Sequence, residues 1–303
     1  MLLRIFLSLL IFSSSLFSCS LKDFDIEVIS PSSGVSQTLW NKISRIIGKD
    51  LTGPMGTSED QVFVDEIAKF QKLDKSLKSD HRIIWALRGG YGIDKIMCRV
   101  SSSDYSKTRK KIIIGYSDLT PLMLHLYQKY GWIAINAPML RDFAFGDKSE
   151  KTYQTIVDLL KGKIKNLKFS DLKALNNKVR NVSGKIIGGN LNCIISTIGT
   201  PWQIETKGKI ILIEDTQIAG YHLDRLLTHM KNAGLFDQAI AIVFGDFGKD
   251  VSKILRRFAS KIEIPVFKSN SFGHEKANLP FVYGADSSIT FSNNGAVLEM
   301  KPK

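Results

Sequence analysis

Ser117 follows Lys111 to Ile114, a mostly β-branched run that reads as a short buried strand. Gly115 breaks the run, and from Leu119 the composition turns helical, with Pro121 allowed in the first turn. Ser117 therefore stands on a tight turn between strand and helix. There a nucleophile elbow exposes its hydroxyl beside helix N-terminal amides, and the helix dipole favours negative charge developing next to it. Gly115-Tyr-Ser-Asp118 lacks the second glycine of Gly-x-Ser-x-Gly, and a Ser-Asp pair opening a helix also serves as a plain N-cap. The serine needs partners.

A serine hydroxyl needs a base, usually histidine, and the imidazole needs a carboxylate to fix its tautomer. The chain has five histidines. His81 precedes a strand, His125 lies two helical turns past Ser117, and His222 with His229 share one amphipathic helix. His274 differs, sitting after a glycine in a loop beyond a strand, where backbone can carry a base or merely expose it. Among the acids, Glu214 ends an otherwise apolar strand, and an acid leaving a buried strand needs a partner. Asp118, Asp215 and Asp246 are alternatives of the same kind. The order Ser117, Glu214, His274 matches the nucleophile–acid–base order of α/β-hydrolases, although the fold pattern differs.

The elements that must position these residues alternate along the chain. Asp25 to Ser30, His81 to Leu87, the Ser117 strand and Trp132 to Ile135 read as strands with helices between them. Thr57 to Asp60 looks like a helix cap, followed by an apolar face of Val62, Phe63, Ile67, Phe70 and Leu73. This predicts an α/β protein: an N-terminal doubly wound, mostly parallel sheet domain over 22–165 with a site at its carboxyl edge, plus a smaller mixed α/β C-terminal domain over 180–303. Residues 145–180, rich in Lys and Asn, read as a helix from Lys151 to Leu160 and then a connection. Beyond it lie strands at Lys185 to Asn190, Lys209 to Ile213, Ala239 to Phe244 and Pro265 to Lys268, a helix from Tyr221 to Ala233, and a terminal hairpin turning at Asn293 to Gly295.

At 303 residues, 44% hydrophobic and 23% charged, the chain suits two domains or one large one. Its net charge of +13 is spread out, with short clusters at Lys107 to Lys111 and Lys161 to Lys168. No nucleic-acid motif accompanies them, so no nucleic-acid partner is expected. Residues 1–19 resemble a secretory signal, too short and serine-interrupted for a good membrane span. Leu16-Phe-Ser-Cys19 resembles a lipobox with Cys19 as the lipidated residue, although Phe17 departs from the residue usual there. Export to the periplasm is the expectation, with either membrane attachment through a lipidated Cys19 or ordinary signal cleavage, and a cytoplasmic protein if the segment is not a working signal. Cys98 and Cys193 then read as buried helical thiols rather than a disulfide or metal site.

Arg88-Gly-Gly-Tyr-Gly92, Gly115-Tyr-Ser-Asp118, Gly188-Gly-Asn190, Gly199-Thr-Pro201, Ile213-Glu-Asp215, Tyr221-His-Leu-Asp-Arg-Leu226, Gly245-Asp-Phe247 and Phe272-Gly-His274 occur in the order seen in the LD-carboxypeptidases. The chain resembles these bacterial serine peptidases, which trim murein tetrapeptides, over about residues 26 to 290. The resemblance implies Ser117 as nucleophile, His274 as base, Glu214 as its orienting acid and the amides of Gly90 and Asp118 as the oxyanion hole. It also implies an N-terminal α/β domain, a smaller C-terminal domain with the triad across their junction, no metal or other cofactor, and a homodimer. Two features depart from it. Asn136-Ala-Pro-Met139 stands where the family usually has His-Gly-Pro-Met, and the N-terminus is signal-like whereas well-known relatives work in the cytoplasm.

The implied reaction is removal of the terminal D-Ala from a murein tetrapeptide, with Arg88 and Arg225 as candidates for its carboxylate or for structural ion pairs. The rivals are a microcin-immunity-like hydrolase of peptidyl or aminoacyl nucleotides, with Trp202 as a candidate base stacker, and a lipid-anchored, non-catalytic binder of murein peptides.

Overall fold

A computed structural model of the protein describes residues 21–47, 65–276, 278–292 and 295–302. Four short strands, β1 (Ile26–Ile29), β2 (Ile83–Ala86), β3 (Ile112–Gly115) and β4 (Ile133–Asn136), pair in parallel and in chain order. The register sets Ile29 beside Ala86, Trp85 beside Ile114 and Gly115 beside Asn136, so the carboxyl ends form a row. Every loop that follows these strands leaves from that one edge. β2 is Ile-Ile-Trp-Ala with all four residues buried, as a strand covered on both faces requires. The Trp85 indole also donates to the carbonyl of Pro138 at 3.0 Å, fastening the loop after β4.

The second sheet is a closed barrel. β6 (Val182–Asn190), β7 (Lys209–Glu214), β8 (Ala241–Phe244) and β9 (Val266–Lys268) are parallel, and β5 (Leu167–Ala174), β12 (Gly295–Lys301) and β11 (Asp286–Ser292) complete the ring antiparallel. Between β9 and β11 the chain crosses back, and β10 (Phe281–Val282) pairs antiparallel with β4 at the edge of the first sheet. The α/β class and the two-sheet organisation agree with the sequence reading.

The two sheets close on each other beside Ser117. Gly189 has φ 134°, and a Cβ there would lie 2.6 Å from Cγ2 and 2.7 Å from Oγ1 of Thr120. Only glycine lets β6 come this near. Next to it the Asn190 amide donates to Thr120 Oγ1 at 3.2 Å, and that hydroxyl donates to the carbonyl of Ser117 at 2.7 Å.

Some elements differ from expectation. Leu167–Ala174, read as part of a connection, is a strand whose Leu167, Phe169 and Leu172 face inward; its lysines mask the alternation. Ser252–Ala259 is a helix that the sequence reading left unassigned, burying Leu255, Phe258 and Ala259. The cap at Thr57 to Asp60, with Val62 and Phe63, lies outside the described residues. The helix is described from Glu66 to Lys78, with Asp65 accepting from the amides of Ile67 and Ala68; Ile67 is exposed, and Leu73 and Leu77 carry the buried face. The terminal hairpin forms as expected, with Ser292 opposite Gly295, although Asn293 and Asn294 lie outside the described residues. Cys98 is exposed rather than buried, because it falls on the outer face of Asp94–Ser102. Cys193 is half-buried, and desolvation pushes its thiol up.

Candidate active site

β3 ends at Gly115, Tyr116 is extended, and Ser117 takes φ 57°, one of two non-glycine residues with positive φ among those described. A left-handed serine costs roughly 1–2 kcal/mol. The turn is held by bonds from the Leu119 amide to the Tyr116 carbonyl (3.2 Å) and from Thr120 to the Ser117 carbonyl. Ser117 Oγ is thereby aimed at the loop after β2. A Cβ on Gly89 would stand 3.5 Å from that hydroxyl oxygen, and one on Gly90, at φ 121°, would stand 1.9 Å from Ser33 Oγ. The close approaches that call for glycine are to Met139 Cε, 2.9 Å from a Cβ on Gly89, and to Ser33.

Asp118 is buried beneath the same loop, and its Oδ2 accepts from the Ile93 amide at 3.0 Å. Burial pushes this carboxyl up to about 6 against the bonds it accepts. The backbone amides of Gly90 and Asp118 have no acceptor among the described residues. They are the amides that the family resemblance implies as the oxyanion hole.

The barrel supplies the other half. Asp171 on β5 accepts from Ser269 Oγ (2.6 Å), the Asn270 amide (2.7 Å) and Ser271 Oγ (2.8 Å), anchoring the loop after β9. Phe272 is buried against Phe169 and Phe281, and the next turn presents His274. His274 Nδ1 lies 2.7 Å from Glu214 Oε2, and the imidazole packs against the ring of Tyr116 with centroids 4.7 Å apart. Glu214, at the end of β7, is fully buried; the His274 ring is its ion-pair neighbour, and neither carboxylate oxygen has an aligned hydrogen-bond donor among the described residues. Burial pulls the imidazolium down, but the Glu214 charge against it prevails, so His274 is held above its ordinary value.

Neighbouring candidates are used otherwise. Asp215 accepts from Asn190 Nδ2 (3.1 Å), from the Asn192 amide (3.1 Å) and Nδ2 (2.6 Å), and from the Thr216 amide (2.8 Å), so it fixes the start of the helix Leu191–Thr197. Asp246 accepts from the Gly248 amide. His125 is buried, and desolvation, then Lys129, pulls it down to about 4. His81 lies 2.5 Å from Asp25 and 3.3 Å from Glu27 at the surface. His222 and His229 stay on the outward side of Gly220–Asn232.

Arg88 donates to the Gly34 carbonyl at 3.1 Å, while its buried Nε has no partner. Burial, and then Arg141 beside it, makes its charge costly there. Arg225 is exposed on Gly220–Asn232, and no contact joins it to Ser117, Glu214 or His274. Trp202 is buried, with no exposed face for a base. Cys19 lies outside the described residues. Asn136, at the end of β4, is buried with Nδ2 unpartnered. Sequence reasoning missed the contact of Tyr116 with His274, and it missed Lys148, whose ammonium bonds the His274 loop from inside a Lys- and Asn-rich stretch.

The model of the LD-carboxypeptidase N-terminal domain matches residues 26–137, and that of the C-terminal domain matches 183–289. The chain belongs to the LD-carboxypeptidase family. Within the family it is 38% identical to a Rickettsia conorii protein that bears the name of a carboxypeptidase, over 93% of this chain and 94% of that one. It is 27% identical to the murein tetrapeptide carboxypeptidase of Pseudomonas aeruginosa, over 68% of this chain and 71% of the relative. The crystal structure of muramoyltetrapeptide carboxypeptidase from Oxalobacter formigenes has the same fold, with a TM-score of 0.78 at 24% identity, covering 91% of this chain and 98% of that one.

Proposed function

We propose that this LD-carboxypeptidase is a serine peptidase that removes terminal D-Ala from murein tetrapeptides by a Ser117–His274–Glu214 triad. The observation that carries the reading is the buried Glu214 carboxylate against His274 Nδ1, on an imidazole packed against the residue before Ser117. Ser117 Oγ attacks the carbonyl before D-Ala while His274 Nε2 takes its proton, and Glu214 stabilises the imidazolium. The Gly90 and Asp118 amides receive the oxyanion. Collapse of the tetrahedral intermediate expels the D-Ala amine, protonated by His274, and leaves an acyl ester on Ser117. Water, deprotonated by the same histidine, hydrolyses that ester.

The substrate's free carboxylate needs a cation, and the unpartnered Nε of Arg88 supports assigning it that role. Arg225 has no comparable support. Export, acylation of Cys19 and a homodimer remain part of the proposal; labelled palmitate entering the wild type but not Cys19→Ala tests the anchor. The reaction is tested by mass spectrometry of a purified tetrapeptide after incubation. Loss of one alanine residue with wild type and none with Ser117→Ala is the expected result, and no loss with either refutes the reading.

A further inference from the structure

Lys148 is 6% exposed, yet among the described residues no carboxylate lies within ion-pairing distance of it. Asp142, Glu214, Glu275 and Asp147 act on its charge only from beyond that distance, and a buried ammonium with no direct ion pair is expensive unless its donors are satisfied. Lys148 Nζ spends them on two successive carbonyls of the base loop, those of His274 (2.5 Å) and Glu275 (2.6 Å). It also lies 5.8 Å from the centre of the Tyr116 ring, which itself packs on His274. The neighbouring backbone repeats the connection: the Ser149 amide donates to the Lys276 carbonyl at 3.0 Å, and the Asn278 amide donates to Thr152 Oγ1 at 3.2 Å.

We infer that Lys148 is a positioning residue for the base, tying the His274 loop to the half of the molecule that carries Ser117. This deepens the proposed function and rests on it for the role of His274. His274 is reached by the loop after β9, whereas Lys148 lies between the helices Leu140–Ala144 and Glu150–Leu160, which follow the first sheet. Without the lysine the two carbonyls would lose these donors, and the Tyr116–His274 contact and the two neighbouring bonds alone would hold the loop.

The charge has a second effect. Glu214 and Asp215 from the end of β7 favour the imidazolium, and Asp246 stands behind Gly273. Lys148, whose ammonium bonds the His274 carbonyl, is the cation that opposes them. It therefore keeps the base neutral at lower pH than Glu214 alone would allow.

The test is an NMR titration of the His274 Cε1–H resonance, assigned by its absence in His274→Gln, in wild type, Lys148→Met, Lys148→Gln and the exposed control Lys151→Met. Both Lys148 variants should titrate about one pH unit higher than wild type. With tetrapeptide, kcat should fall about 10- to 100-fold and the acid limb of kcat/KM should move up with the titration. Lys151→Met should match wild type. A folded Lys148 variant that titrates with wild type and keeps kcat within threefold overturns the inference, and so does failure of both variants to fold. Because the titration needs no substrate, a wild type inert on tetrapeptide with a shifted Lys148→Met titration would refute the proposed reaction and leave the positioning role standing.

Discussion

The phenol ring of Tyr116 lies against the imidazole of His274, with centroids 4.7 Å apart and planes tilted by 38°. Tyr116 precedes Ser117 in the chain, and His274 belongs to the loop that leaves the barrel for the first sheet. One side-chain contact thus sets the proposed base beside the proposed nucleophile across the junction of the two sheets.

If the three residues act as one unit, Ser117→Ala and His274→Ala should each lower kcat by several orders of magnitude, and the double variant should lose little more. His229→Ala, exposed on its helix, is the control and should remain near wild type. Single-turnover assays on one tetrapeptide, with thermal melts to check folding, decide this. Additive losses in the double variant would sink the claim of a unit.

Glu214→Gln makes a two-part prediction. The plateau of kcat should drop by roughly 10³–10⁴, by analogy with the aspartate of the serine-protease triad. The acid limb of kcat/KM should also move to lower pH, because burial then acts on His274 without the opposing charge. The sign for stability follows from the same pair. His274 is raised on folding, so the contribution of the ion pair is whole below its unfolded value of about 6.5 and is lost as pH rises through the folded value. The gap in melting temperature between wild type and Glu214→Gln should shrink from the variant's folded value, which burial holds below the ordinary one, up to the wild-type folded value, and level off above it.

Asp118 should oppose folding when ionised. Its carboxyl is raised to about 6, chiefly by burial. Protonation therefore adds stability that is complete below the unfolded value of about 3.9 and is lost as pH rises through 6. Asp118→Asn keeps an acceptor for the Ile93 amide and removes the charge. Relative to wild type it should gain on the order of 2 kcal/mol between pH 4 and pH 8. Urea titrations at both values measure this, and a difference that does not vary with pH would contradict it.

Arg88→Met should act on binding. A hydrogen bond to a charged group contributes about 1.5–3 kcal/mol, so KM for the free tetrapeptide should rise roughly tenfold or more. A tetrapeptide amide, lacking the carboxylate, should be a poor substrate for wild type and lose little further with Arg88→Met. Equal losses on both substrates would place Arg88 in the scaffold instead.

Much of the fold was legible because it is local. Continuous Ile-rich runs mark strands buried on both faces, and Gly115 followed by helix formers marks the turn at Ser117, so neighbouring residues alone determined these elements. The motif order pointed to the family before any tertiary contact was known. Other features depend on distant chain. Closure of the barrel gives Leu167–Ala174 its two partners, which no property of that lysine-rich stretch announces. The exposure of Cys98 depends on which face of its helix meets the sheet. The family resemblance implied the pairing of His274 with Glu214, but their 2.7 Å approach, the complete burial of Glu214 and the reach of Lys148 into the base loop were decided only by tertiary structure. The physical reason is that charge and hydrogen bonding act through space at a few ångströms, whereas sequence patterns record only what lies within a turn or a strand of each residue.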